Sequence, residues 1–157
     1  MLSSNLESCL KKPLVAKTIQ IYFSILKIFE KVALPVLVLF MRFWMAKIFW
    51  YSGLTKISSW QSTVFLFKEE YKVPIIPPEI AAYFATAFEL TCPVLLVLGL
   101  GTRFATLPML AMTAVIQFTY LDLIDHRYWA MLLALILFYG PGPLSLDHFI
   151  SKKLSQR

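Results

Sequence analysis

Residues 80–100 read IAAYFATAFELTCPVLLVLGL, a stretch that is apolar along almost its whole length and carries one ionisable carboxyl group, Glu89, near its middle. A helix of that length matches the ~30 Å hydrocarbon core of a bilayer. A carboxyl group inside hydrocarbon is costly enough to mark either a function or an obligatory partner. The composition agrees that hydrocarbon is the relevant solvent. The chain is 59% hydrophobic and 15% charged, against about 25% charged residues in a soluble domain, and its mean hydropathy is +0.69.

Working outward, the 157 residues leave room for about four spans of ~20 residues with short loops and no soluble domain. The apolar runs place span one at approximately 32–52, span two at 80–100, span three at 104–124 and span four at 128–144. The fourth is the weakest, because Gly140, Pro141, Gly142 and Pro143 end any regular helix soon after Tyr139. A buried or re-entrant helix is the alternative there. The expected fold is an all-α membrane protein, a four-transmembrane-helix bundle with an N-terminal amphipathic helix and an outer interfacial helix between spans one and two.

Charge sets the expected orientation. With both termini in the cytoplasm, Lys11, Lys12, Lys17, Lys27, Lys31, Arg103, Lys152, Lys153 and Arg157 lie inside, and only Lys56, Lys68, Lys72 and Arg127 lie outside. That asymmetry follows the positive-inside rule. Glu69, Glu70, Glu79, Asp122 and Asp125 lean toward the outer face. The net charge of +6 is thus an orientation signal, and its dispersal gives no continuous patch for a nucleic acid.

Pro13 to Glu30 reads as an amphipathic helix, with Lys17, Gln20, Ser24, Lys27 and Lys31 recurring at steps of three and four among Leu14, Val15, Ile21, Tyr22, Ile25, Ile28 and Phe29. It either lies in the inner interface, lysines toward anionic headgroups, or continues span one into the cytosol. The late first apolar run and the lack of a small-residue cleavage pattern argue against a cleaved signal peptide. The expected domains are a cytoplasmic N-terminus over 1–31, the bundle over 32–145 and a basic cytoplasmic tail over 146–157.

Several chemistries lack their residues. Cys9 and Cys92 form no CxxC, and His126 and His148 fall at opposite faces, so no dithiol cycle, metal site or di-histidine haem site is expected within one subunit. No P-loop, GxGxxG, HExxH or Ser/His/Asp constellation is present. One carboxylate in four spans is too little polar lining for a monomeric channel.

The intramembrane polar residues are what remain. At 1.5 Å per residue from the inner ends, Arg42 falls about 15 Å deep in span one and Glu89 about 16 Å deep in antiparallel span two. Lys47 and Gln117 form a second layer nearer the outer face. Arg42, Ala46, Phe49, Gly53 and Lys56 share one face of span one, and Ala82, Ala85, Glu89 and Cys92 share one face of span two. Small residues beside polar ones suit a bundle-facing surface in lipid. Arg42 and Glu89 are therefore expected to pair. The candidate site is Arg42, Glu89 and Gln117, with Lys47, Lys56, Cys92 and Thr113 as secondary members. Two roles stay open for the pair: an architectural ion pair, or the lining of a polar pocket in which Glu89 exchanges a proton or holds a headgroup.

In the outer loop, Trp60, Val64, Phe67 and Tyr71 share one helical face and Gln61, Lys68 and Lys72 another, ahead of the rigid VPIIPP segment. This reads as an interfacial helix, either an aromatic anchor or a lid.

The strings RFWMAKIFWYSGLTKI at 42–57, LFKEEYKVPIIPPEIAAYFATAFELTCPVLLVLGLGTRFATLPMLAMTAVIQF at 66–118 and GPGPLSLDHFI at 140–150 resemble the DoxX family of small bacterial membrane proteins. The matching positions are Arg42, Gly53, Lys56, Glu70, Tyr71, Pro74, Glu89, Pro93, Arg103, Gln117 and Asp147. The resemblance implies a four-helix bundle in the bacterial cytoplasmic (inner) membrane. It also implies a link to redox chemistry, since relatives include the membrane subunit of a thiosulfate:quinone oxidoreductase and proteins of oxidative-stress or quinone-detoxification systems. Some relatives carry cysteine pairs; this chain has none, so no direct thiol mechanism is implied.

Two classes of function follow. One is a redox-associated, quinone-linked membrane subunit with no intrinsic cofactor, whose electrons come from a protein partner. The other is a non-catalytic membrane component or small-molecule carrier held together by Arg42 and Glu89. Whether the chain turns anything over, and whether it forms a homo-oligomer, stays open.

Overall fold

The computed structural model describes residues 13–71, 76–119 and 124–156. Cys9, Lys11, Lys12, Lys72, Pro74, Asp122 and Arg157, named above, lie outside the described residues, as does part of VPIIPP. Every regular element described is helical. They are α1 (Pro13–Ile28), a π-helical turn (Phe29–Ala33), α2 (Leu34–Ser58), α3 (Trp60–Leu66), a second π-helical turn (Phe67–Tyr71), α4 (Pro78–Leu98), α5 (Thr102–Thr119), α6 (Ile124–Tyr139) and α7 (Leu146–Ser155).

The chain divides between Leu37 and Val38 into two compact units. In the first, the expected amphipathic segment is helical, and helical structure runs on without a break to Ser58. Composition cannot locate the start of a span inside such a run.

In the second unit, α2, α4, α5 and α6 share one apolar core, with Met45, Phe49, Leu96, Met109, Leu133 and Ile136 at its centre. Among the described residues, two helical runs, 15–58 and 78–98, are long and apolar enough to cross a membrane, and only 39% of the most apolar window of each is buried. A core helix of a soluble protein would be mostly buried. Here large apolar side chains such as Phe84, Phe104, Phe118 and Phe138 face outward, as lipid contact requires. At 1.5 Å per residue the described parts of α5 and α6 reach about 27 and 24 Å, and α6 ends at Tyr139, short of the 144 read from sequence.

The helix ends follow from local chemistry. Pro78 opens α4 at its first turn, where a missing N–H costs nothing. Gly99 closes it with φ +69°, Gly99 N–H donating to Leu96 O and Leu100 N–H to Leu95 O, the paired bonds of a Schellman cap. Gly140 ends α6 at φ +93°. Within the segment expected as a basic tail, Leu146–Ser155 forms the helix α7, capped by Ser145, whose hydroxyl accepts from His148 N–H. Ser145 followed by Asp147 is a start signal legible in the sequence.

α3 and the second π turn place Trp60, Val64, Phe67 and Tyr71 on one face, as the periodicity suggests. That face packs on Ala81, Ala82 and Ala85 of α4 and on Met112 and Ile116 of α5.

Candidate functional site

Every residue of the two stripes read from sequence is buried: Arg42, Ala46, Phe49, Gly53 and Lys56 on α2, and Ala82, Ala85, Glu89 and Cys92 on α4. Their register differs from the expected one. Arg42 does not pair with Glu89.

Arg42, 1% exposed, spends its guanidinium on four backbone carbonyls. Nε donates to Leu96 O at 2.7 Å, Nη2 to Val97 O at 2.7 Å, and Nη1 to Leu144 O at 2.8 Å and Pro141 O at 3.0 Å. It is a cation at the C-terminus of α4, where unpaired carbonyls and the helix dipole favour positive charge, and it ties the 140–145 turn to that end. The expected pairing fails because a span start taken at 32 puts Arg42 too far along the bundle. Leu96 lies beyond Glu89 by about 10 Å at 1.5 Å per residue.

Glu89 meets the other end of α2. Gly53 makes the close approach there: a Cβ on it would fall 3.1 Å from Glu89 Cβ and 2.9 Å from Leu90 Cδ2. One turn on, Lys56 Nζ lies 2.8 Å from each Glu89 carboxylate oxygen and also donates to Ser52 Oγ at 2.9 Å. Ser52 donates in turn to Glu89 Oε1 at 3.2 Å. Glu89 is 3% and Lys56 8% exposed. Only the Oε1 contact has hydrogen-bond geometry, so Oε2 is buried beside the ammonium with an acceptor position unused. Pro93 adds a second irregularity, since it has no N–H to donate to the Glu89 carbonyl one turn earlier.

Two cavities meet Glu89, and one of them also meets Lys56. One, of about 190 Å³, is walled by apolar side chains of α4, α5 and the second π turn, among them Phe67, Phe84, Ala85, Phe88 and Met112, and its polar end is Lys56 and Glu89. Phe84 and Phe88 are exposed, so this cavity opens on the outward surface of the helices. The other, of about 120 Å³, lies among α2, α4, α5 and α6 and is lined by Ser52, Glu89, Thr113 and His126 together with Phe49 and Trp129.

The remaining candidates scatter. Lys47 is exposed and lines a groove with Trp50, Tyr51 and Val94. Gln117 is half-buried on α5. Cys92 is a free thiol in the apolar core. Thr113 donates its hydroxyl to Met109 O within its own helix while bordering the smaller cavity. Sequence reasoning missed Ser52 and His126. Ser52 stands one turn before Lys56, a spacing that signals a shared face; His126 carries no such signal, because its placement depends on how α6 packs. Among the described residues no cluster of His, Cys, Asp or Glu could hold a metal ion.

The DoxX family model matches residues 37–122. The match begins beside the boundary of the second unit and includes Arg42, Ser52, Lys56, Glu89 and Thr113, while His126 and the GPGPLSLD segment follow it. Neither the curated proteins nor the solved structures contain a match to this chain.

Proposed function

We propose, for a chain that belongs to the DoxX family of membrane proteins, that it is a quinone-linked, redox-associated subunit whose electrons come from a protein partner. In this reading α2, α4, α5 and α6 are four spans of a bacterial inner membrane, with both termini in the cytoplasm. The observation that carries it is the apolar cavity that ends on Lys56 and the unused acceptor Oε2 of Glu89. An amphiphile entering sideways from lipid would find apolar walls first and a charged pair at the end.

The size suits a single ring. A cavity of about 150 Å³ holds benzene, and this one is about 190 Å³, so a headgroup fits inside and an isoprenoid tail would lie along the outward surface at Phe84 and Phe88. A quinone, when bound, supplies coupled electron and proton transfer. The chain's own residues supply recognition: Lys56 Nζ has a donor for a carbonyl oxygen, Glu89 Oε2 accepts from a hydroxyl, and the aromatic walls exclude water.

The competing reading, a non-catalytic component or small-molecule carrier, draws on the same ion pair, because Lys56 and Glu89 already neutralise each other. It transfers to Lys56 and Glu89 the architectural role first expected of Arg42 and Glu89. The test is quinone co-purification and titration with a short-chain quinone in mild detergent, comparing Glu89→Gln and Ala111→Trp with the parent. Ala111 is exposed and borders the cavity, so the tryptophan blocks it without touching the charges. Both variants are expected to lose binding in the folded fraction, with Glu89→Gln the less stable of the two because Lys56 keeps an uncompensated charge. If Glu89→Gln only lowers abundance and the folded fraction binds normally, the pocket reading is wrong.

A further inference from the structure

The smaller cavity has no part in holding a lipid-soluble ring. It lies on the α6 side of Glu89, is bounded by hydroxyls as well as rings, and contains a second orphan: His126, 6% exposed, has a buried Nδ1 with no hydrogen-bond partner. A buried imidazole nitrogen without a partner is expensive. Its ring is braced edge-on against Trp129, with centroids 4.8 Å apart and planes at 88°, so packing holds it in place. Its chain neighbours Asp125 and Arg127 are exposed. His126 therefore stands between a partly enclosed cavity that carries a few polar groups and the exposed first turn of α6.

We infer that this cavity is a hydrated chamber in which His126 exchanges protons between the Glu89 carboxyl group and the aqueous end of α6. Its volume of about 120 Å³ admits about four waters at ~30 Å³ each, and water needs two to four polar partners to stay in such a space. Ser52, Glu89, Thr113 and His126 supply them. The transfer balances without any redox partner: the Glu89 O–H bond breaks, its proton passes through water to Nδ1 of His126, and the imidazolium releases a proton to bulk water. The charged and titratable groups that face Glu89 are Lys56 from α2, Tyr71 from the second π turn through the apolar cavity, and His126 from α6; α5 contributes only the Thr113 hydroxyl to the two cavity walls at this level. Asp125 and Arg127 flank His126 on its own helix.

This inference deepens the ligand reading above, because it gives a proton taken up or released at the apolar cavity a route to water, but its test needs no ligand. In lipid nanodiscs, the full chain is followed by infrared spectroscopy across a pH titration and then after transfer to D₂O. A protonated carboxyl band that moves in Glu89→Asp assigns Glu89 while keeping the charge. In the parent the band exchanges with solvent deuterium on mixing. His126→Gln, which keeps hydrogen bonding but cannot titrate, is expected to slow exchange on the order of 100-fold, the low end of what a positioned acid–base group contributes. Thr113→Val, which removes one water partner, slows it less. Unchanged exchange in His126→Gln, or no protonated Glu89 band at any accessible pH, would overturn the chamber. Quinone binding lost with exchange intact would sink the ligand reading alone, and the reverse result would sink only this one.

Discussion

The two buried charged layers of this bundle are built on opposite terms. Arg42 meets four carbonyls of the backbone, from Leu96, Val97, Pro141 and Leu144, and is packed so closely that a Cβ on Gly99 would fall 2.5 Å from its Nη2. Glu89 and Lys56 meet each other and Ser52, leave one carboxylate oxygen without a hydrogen bond, and border the larger cavity together, with Glu89 alone reaching the smaller one. An ionised side chain with four of its five N–H donors spent on backbone has little left to offer a ligand. One with spare hydrogen-bonding capacity beside empty space has more. Burial of charge in a membrane helix is therefore a weak guide to function until its partners are counted.

The hardest way to break this contrast is to remove the saturated charge. Arg42→Ala strands carbonyls at the end of α4 and in the 140–145 turn, and losses from unpartnered buried groups of about 1–3 kcal/mol each make about 4 kcal/mol a reasonable expectation. Folded yield and the thermal midpoint in detergent should fall steeply, and Arg42→Lys, a point charge without the planar fork, should recover only part. Equal stability in Arg42→Ala would mean that the carbonyl cage is ornamental.

The other layer should respond in a different way. Lys56→Met alone leaves a buried carboxylate uncompensated, and breaking a buried pair this way costs roughly 3–5 kcal/mol at full charge, less if Glu89 takes up a proton. Lys56→Met combined with Glu89→Leu removes both charges and is expected to restore near-parental stability, since buried pairs can often be replaced by apolar residues of similar size. Quinone binding should vanish in the double variant despite the recovered fold. A double variant that stays unstable would make the pair architectural, like Arg42.

How much of this was legible in the sequence divides along the same line. Faces were readable: the helical repeat put Arg42, Ala46, Phe49, Gly53 and Lys56 together, and all are buried, because periodicity is a property of one helix. Register was not. Whether Arg42 or Lys56 stands beside Glu89 depends on where α2 meets α4, and apolar residues continue past both ends of that contact. The continuous helix from Pro13 to Ser58 removes the boundary from which depth was counted. Ser52 was within reach of a pattern argument, one turn from Lys56. His126 was not, since only the packing of α6 brings it to the space beside Glu89. Gly140 to Pro143 stop a regular helix, as their residue types imply, and α6 ends there, while the Ser145 and Asp147 that follow start α7.

Asp147 gives the gentlest test of whether the layers are independent. Its Oδ1 accepts from Gly101 N–H at 2.8 Å and its Oδ2 from Thr102 N–H at 3.1 Å, while its own N–H donates to Gly99 O at 2.9 Å. It thus caps the N-terminus of α5, where negative charge is favoured, and latches α7 to the same turn that Arg42 serves. Asp147→Asn keeps one acceptor and the backbone bond but loses the charge and one side-chain bond. A loss of about 1 kcal/mol is expected, seen as a small fall in thermal midpoint and faster hydrogen exchange in α7. Asp147 is not hydrogen-bonded to Arg42, although its carboxylate is the opposite charge that acts on the guanidinium, so the four carbonyl bonds should hold and quinone affinity at the far end should not change. If affinity falls with the latch, the two layers communicate through α4, and the division between a structural end and a working end of the bundle has to be given up.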